Sequence, residues 1–234
     1  MRKVVEEEVE EKEEIKIEEE KPLETWKPKT VLGEKVLKGE IKSIDEIIEG
    51  GYKIAEPEIV DMLLPNLKHE LILIGGRTGK GGGAQRIPIR ITAKMHKSGR
   101  RFRMTAFVVV GNEDGYVGVG KGTALEARSA VEKAIKKAKM NLIKVKRGCG
   151  SWECKCGENH SIPFKVEGKS GSVRVILIPA PKGLGLVASD EAKKILRLAG
   201  IKDVWVKSFG NTSMRINFTK AIYNALKNLY VYER

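Results

Sequence analysis

From Ile87 to Met95 apolar and polar side chains alternate, with Ile87, Ile89, Ile91, Ala93 and Met95 on one side and Arg90, Thr92 and Lys94 on the other. A period of two is that of a half-buried strand, so a strand is predicted over 87–95 with its apolar face inward and its basic face outward. His96-Lys97-Ser98-Gly99 reads as a turn into a second strand over 101–110. Asn112-Glu113-Asp114-Gly115 leads to a third at 116–119. The period then changes to 3.6. Ala127, Val131, Ala134, Ile135, Ala138 and Leu142 form one stripe of a helix, and Arg128, Lys133, Lys136 and Lys137 its other face. Thr123 and Glu126 stand at capping-box spacing in front of it.

Before this unit, the chain from Trp26 to Ala55 is polar, with one short helical signal where Ser43 and Glu46 precede Ile47 and Ile48. Residues 58–64 predict a further short helix, stopped by Pro65. Beyond a Gly- and Cys-rich interlude at 143–163, strands are expected at 162–166, 172–178 and 203–208. Ser189 is placed to cap a helix carrying Ala192, Ile195, Leu196 and Ala199 and ending at Gly200. Phe218, Ala221, Ile222, Ala225 and Leu226 mark a last helix. The expected class is α+β, with no repeat joining the halves. Five segments follow: an acidic, disordered tail at 1–25, an extension with short helices at 26–66, a domain at 67–142, a Cys-rich connecting loop at 143–161, and a two-layer α/β domain at 162–234.

Charge narrows the function. The 234 residues carry a net +13, with 41% hydrophobic residues, a globular composition. No apolar run reaches the ~20 residues that cross a bilayer. The acidic start offers no apolar signal-peptide core, and three cysteines fit a reducing, cytoplasmic setting. Residues 1–25 hold five basic residues and eleven glutamates, so the rest of the chain carries +19. Between Leu71 and Asn112 no acidic residue occurs, while Arg77, Lys80, Arg86, Arg90, Lys94, Lys97, Arg100, Arg101 and Arg103 do. A one-signed surface of this kind calls for a polyanionic partner, nucleic acid first. Lys121, among Gly118, Gly120 and Gly122, joins the candidate RNA-binding set. Arg100 and Arg101, displaying guanidinium forks at a turn, are the foremost candidates for direct contact. With only Phe102 and Phe107 as aromatics, the stretch favours shape and backbone recognition over base stacking.

GGRTGKGGG lacks the hydroxyl residue and first glycine of a phosphate-binding loop. Gly183-Leu184-Gly185 fits a loose dinucleotide pattern, but no acidic residue about twenty positions on sits at a strand end to hold a ribose. Cys149, Cys154, Cys156 and His160 lie within twelve residues, spaced C-x4-C-x-C-x3-H. Three thiolates and an imidazole suit one structural Zn2+, although the C-x-C pair strains a single-metal chelate. The alternative is three free thiols in a loop. No Ser/His/Asp set and no carboxylate pair in an apolar setting is present, so no enzyme is expected.

The runs SGRRFRMTAFVVVGNEDGYVGVGKG (98–122), GSVRVILIPAPKGLGLVA (171–188) and LAGIKDVWVKSFGNTSMRIN (198–217) resemble the family of the small-subunit ribosomal protein numbered five. The long N-terminal extension is similar to its archaeal and eukaryotic branch. The likeness covers about residues 26–234. It implies an N-terminal double-stranded-RNA-binding-like fold and a C-terminal α/β domain with a left-handed crossover. It also implies contact with ribosomal RNA, a place at the messenger entry channel, the small-subunit protein numbered four as neighbour, an influence on decoding accuracy, and no membrane or small-molecule substrate. The hairpin loop that would reach toward the head–neck hinge is His96 to Arg101. The rival reading is a free-standing double-stranded-RNA regulator.

Overall fold

The computed structural model describes residues 26–78, 84–154 and 156–231; the expectations for the tail at 1–25 and for Lys80 fall outside them. The chain opens with three short helices, α1 (Val31–Leu37), α2 (Ile44–Glu49) and α3 (Pro57–Leu63). The Ser43 hydroxyl accepts from the Glu46 amide, as its spacing predicts, and Pro57 fills the first turn of α3, where its missing N–H costs nothing. Helix α1 was not foreseen, because Gly33 interrupts its pattern. The glycine is needed there: a Cβ at Gly33 would stand 2.8 Å from the Cβ of Pro28 and 3.2 Å from the Trp26 ring. Val36, Ile44, Ile47, Ile54, Ile59 and Val60 form a small core of their own against Leu142.

Then follow β1 (Lys68–Leu71), a separate hairpin of β2 (Gly75–Thr78) and β3 (Ala84–Ile87), β4 (Arg90–His96), β5 (Gly99–Gly111), β6 (Tyr116–Ala124), helix α4 (Ala127–Met140) and β7 (Leu142–Lys144). The sheet runs β1-β5-β6-β7, and β4 also pairs with β5, beyond β1 along the same strand. The expected strand over 87–95 is therefore broken at Pro88, with Ile87 closing β3 and the rest starting at Arg90. The third strand runs five residues past the expected 119, and this removes the Thr123–Glu126 capping box. Thr123 is in the strand, opposite Thr105, and Glu126 caps α4 without a side-chain bond. The helix buries Ala130, Ala134 and Ala138, while Leu142 has left it for β7.

The second half contains β8 (Val166–Ser170), β9 (Val173–Pro179), β10 (Leu186–Val187), α5 (Asp190–Leu198), β11 (Val204–Phe209) and α6 (Arg215–Val231), with sheet order β10-β11-β9-β8 and only β10 and β11 parallel. The strand expected at 162–166 begins at Val166 instead. The stripe of α5 is buried as expected, and its Ser189 occupies the cap position without a side-chain bond.

Strand β5 explains how the halves join. Its continuous apolar run, 106–110, is buried on both faces. Ala106, Val108 and Val110 meet α4. Phe107 and Val109 share a core with Val175, Leu177, Ile195, Leu196, Ile222 and Leu226 of the second half. Among the described residues, no helix is long and apolar enough to cross a membrane.

Candidate nucleic-acid interface and metal centre

The β4–β5 ribbon is a two-residue hairpin, His96 facing Gly99, that projects from the body. Every residue from Arg90 to Phe102 is exposed, the apolar ones included: Ile91 is 54%, Met95 77% and Phe102 48% exposed. The expectation of an inward apolar face is thus overturned for 91–95, while Ile87 and Ile89 are half-buried. The alternation is real, but among the described residues no layer lies over the outer part of the hairpin, because α4 and the second half cover the sheet only from about Thr105 onward.

Register sorts the charges. Arg90, Thr92 and Lys94 face Thr105, Arg103 and Arg101, and further along the same pleat face Lys121 pairs with Phe107. Arg90, Lys94, Arg101, Arg103 and Lys121 therefore share one face of the hairpin and sheet. All are exposed, and among the described residues none has a carboxylate partner. Lys94 directly opposite Arg101 is a like-charge pair that costs stability in the isolated chain. The opposite face carries Ile91, Ala93, Met95, Phe102 and Arg100, whose guanidinium lies 5.0 Å from the Phe102 ring centre. Lys97 is at the turn, where the Arg101 guanidinium donates to Ser98 Oγ at 2.9 Å. Arg77 and Arg86 belong to the separate β2–β3 hairpin, so the structure does not bring them onto the same strand pair as the others.

The cysteine loop gathers its four candidate ligands. Sγ of Cys154 is 3.2 Å from that of Cys156 and 3.6 Å from His160 Nε2; Sγ of Cys156 is 3.6 Å from that of Cys149. All four atoms lie within 4.8 Å of one another. Tetrahedral zinc with ~2.3 Å Zn–S bonds needs sulfurs about 3.8 Å apart, so the donor set fits. Backbone N–H groups of Lys182 and Cys156 donate to Cys154 Sγ and, with the Cys156 thiol, lower its pKa to about 6. The Glu158 N–H favours the thiolate of Cys156, but the neighbouring Cys154 and Cys149 thiols leave its net pKa raised. An isolated antiparallel bridge between Gly148 and Ser161 closes the loop at its base.

His160 is buried, and its Nδ1 lies 2.9 Å from Asp203 Oδ2. A carboxylate only accepts, so the ring proton sits on Nδ1 and the Nε2 lone pair turns toward the thiols. Asp203 was missed by sequence reasoning: it lies 43 residues from His160, and its only signal is an acid inside the apolar run 198–206. The other Asp203 oxygen accepts from the Gly183 and Gly185 amides at 3.1 and 2.7 Å. Those amides are the ones a dinucleotide phosphate would need, and they are already committed.

Two family models match the chain: "Ribosomal protein S5, N-terminal domain" over residues 84–146 and "Ribosomal protein S5, C-terminal domain" over 168–234. The cysteine loop falls between them. The chain is 53% identical over 205 residues to the small ribosomal subunit protein uS5 of Pyrobaculum aerophilum, covering 88% of this chain and 87% of that one. It is 55% identical over 201 residues to that of Nanoarchaeum equitans, and 56% identical over 202 residues to that of Aeropyrum pernix. Each of these matches covers 86% of both chains.

Proposed function

The chain belongs to the ribosomal protein S5 family in its archaeal form, and from that premise we propose that it is a structural, non-enzymatic constituent of the small ribosomal subunit that binds ribosomal RNA in the cytoplasm. The observation that carries the reading is the single face of Arg90, Lys94, Arg101, Arg103 and Lys121, left without counter-charge by the chain's own described residues. RNA phosphates supply that charge, and affinity then comes from counterion release and shape. The exposed apolar face of the same hairpin is stable in solution only at a cost, and assembly removes it from water. The same reading puts the hairpin near the messenger entry path and the small-subunit protein numbered four beside the chain, with consequences for decoding accuracy.

The Cys149, Cys154, Cys156 and His160 centre takes one Zn2+, which supplies cross-linking of the interlude and no chemistry. Metal analysis of the purified protein should find about one zinc per chain and should lose it when Cys154 and Cys156 are replaced by Ser; zinc absent from the intact protein would remove this part. For the ribosomal assignment, cell extract is sedimented through sucrose and probed for the chain. Its recovery with the small subunit is expected, and recovery only in the free-protein fractions would instead favour a free-standing RNA-binding regulator.

A further inference from the structure

The segment between β9 and β10 has few apolar contacts of its own, and Leu184 at its bend is 41% exposed. It is nonetheless fastened at four successive points to the cysteine loop or to Asp203. The Ala180 amide donates to Ser161 Oγ at 3.3 Å. The Lys182 backbone N–H donates to Cys154 Sγ, and its ammonium pairs with Glu158 at 2.7 Å. The Gly183 and Gly185 amides share Asp203 Oδ1, while Asp203 Oδ2 holds His160 Nδ1. His160 is held by its backbone too, its carbonyl accepting from the Lys202 and Asp203 amides at 2.9 and 3.1 Å.

One carboxylate therefore sits between a metal ligand and a turn. Asp203 is 4% exposed, so its charge requires partners, and its three side-chain partners among the described residues lie on these two elements. A Zn2+ on Nε2 makes the Nδ1–H a stronger donor, and a carboxylate behind a zinc histidine fixes its tautomer and raises its basicity. We infer that Asp203 is the positioning residue of this metal centre and that it couples metal occupancy to the 180–187 turn, so that zinc acts as the clasp of that turn as well as of the cysteine loop. Without the metal only weak thiol hydrogen bonds hold the four donors together, so His160 is fixed less firmly and the Asp203 carboxylate is oriented less firmly toward Gly183 and Gly185. Lys182 and Lys202, near the cluster, offset the net negative charge of three thiolates on one divalent ion.

This inference rests on the zinc reading, and one experiment separates the two. Full-length protein and Asp203→Asn are titrated with Zn2+ against a chelating dye, and Co2+ spectra report tetrahedral thiolate ligation. Amide hydrogen exchange of the 180–187 segment is followed in the unmodified protein with zinc and after stripping. The expected result is one tetrahedral site, affinity lowered roughly 10- to 100-fold in Asp203→Asn, and exchange at Gly183 and Gly185 accelerated by stripping. If the unmodified protein binds zinc but Asp203→Asn binds it equally well, or if stripping leaves exchange in 180–187 unchanged, the coupling is wrong and the zinc reading stands. If the unmodified protein binds neither metal, both fall. Should Asp203→Asn fail to fold, the exchange comparison in the unmodified protein decides alone.

Discussion

A Cβ placed on Gly120 would stand 2.1 Å from the carbonyl oxygen of Ala134 and 2.4 Å from the amide nitrogen of Ala138. Gly118 and Gly122 repeat the relationship one turn either way along α4, against Ala138 and Ala130. Strand β6 thus presents a bare backbone groove in which the alanine stripe of α4 lies. These glycines are there to let a packed helix approach. Gly120→Ala forces helix backbone to move, an overpacking change of about 3 kcal/mol or more. Thermal denaturation should show it as a Tm lowered by roughly 6–12 °C; an unchanged Tm would mean that α4 does not sit against β6 as described.

The N-terminal helices are pinned to the sheet by a polar cluster. The Tyr116 hydroxyl donates to Asp45 Oδ1 at 2.5 Å, and Lys144 Nζ reaches Asp45 Oδ2 at 3.0 Å and Glu49 at 3.3 Å. Burial first, then the Asp45 hydrogen bond, holds the Tyr116 phenol well above its usual 10.0. The Asp45 hydrogen bond does the same for the Lys144 ammonium. Both groups keep their proton more tightly when folded, so their stabilisation is complete below pH 10 and is lost as pH rises above it. An alkaline titration should show tyrosinate absorbance from Tyr116 lagging behind exposed tyrosines, with residues 26–66 losing exchange protection as it appears. Burial also pushes the Tyr223 phenol up to about 12, so Tyr116→Phe should remove the later of two lagging steps and leave the Tyr223 one; a Tyr116 titration at the ordinary phenol range would remove the cluster from the account.

On the hairpin, Ile91 and Met95 do not belong to the core of the free chain. Ile91→Ser and Met95→Ser should change the unfolding free energy by no more than about 0.5 kcal/mol, the range of exposed substitutions. A loss of several kcal/mol in denaturant melts would show that something in the free protein covers this face.

The sequence made most of the scaffold legible because local rules decided it. The Ser43 cap, the turns at 96–99 and 112–115, and the stripe of α5 all stand where their spacing puts them. What escaped was decided by contacts between distant segments. The Thr123–Glu126 spacing mimics a capping box, but pairing with β5 takes Thr123 into β6, which ends at Ala124, and leaves Glu126 as the cap of α4. Alternation in 90–95 says which residues share a face and cannot say whether any layer covers it. The four metal-ligand candidates were visible as a cluster of types, whereas Asp203 enters only when β11 folds beside the loop. The excess charge of 71–112 was plain, but its division into one face needed the register.

The central claim is that this face meets RNA phosphates, and the salt dependence of RNA binding tests it most directly. Affinity for small-subunit ribosomal RNA is measured over a range of salt concentrations for the unmodified protein and for Arg101→Ala/Arg103→Ala. The account predicts weaker binding by the variant and a log–log salt slope reduced by about two, one for each phosphate contact removed. Equal affinity and an equal slope for both proteins would contradict it.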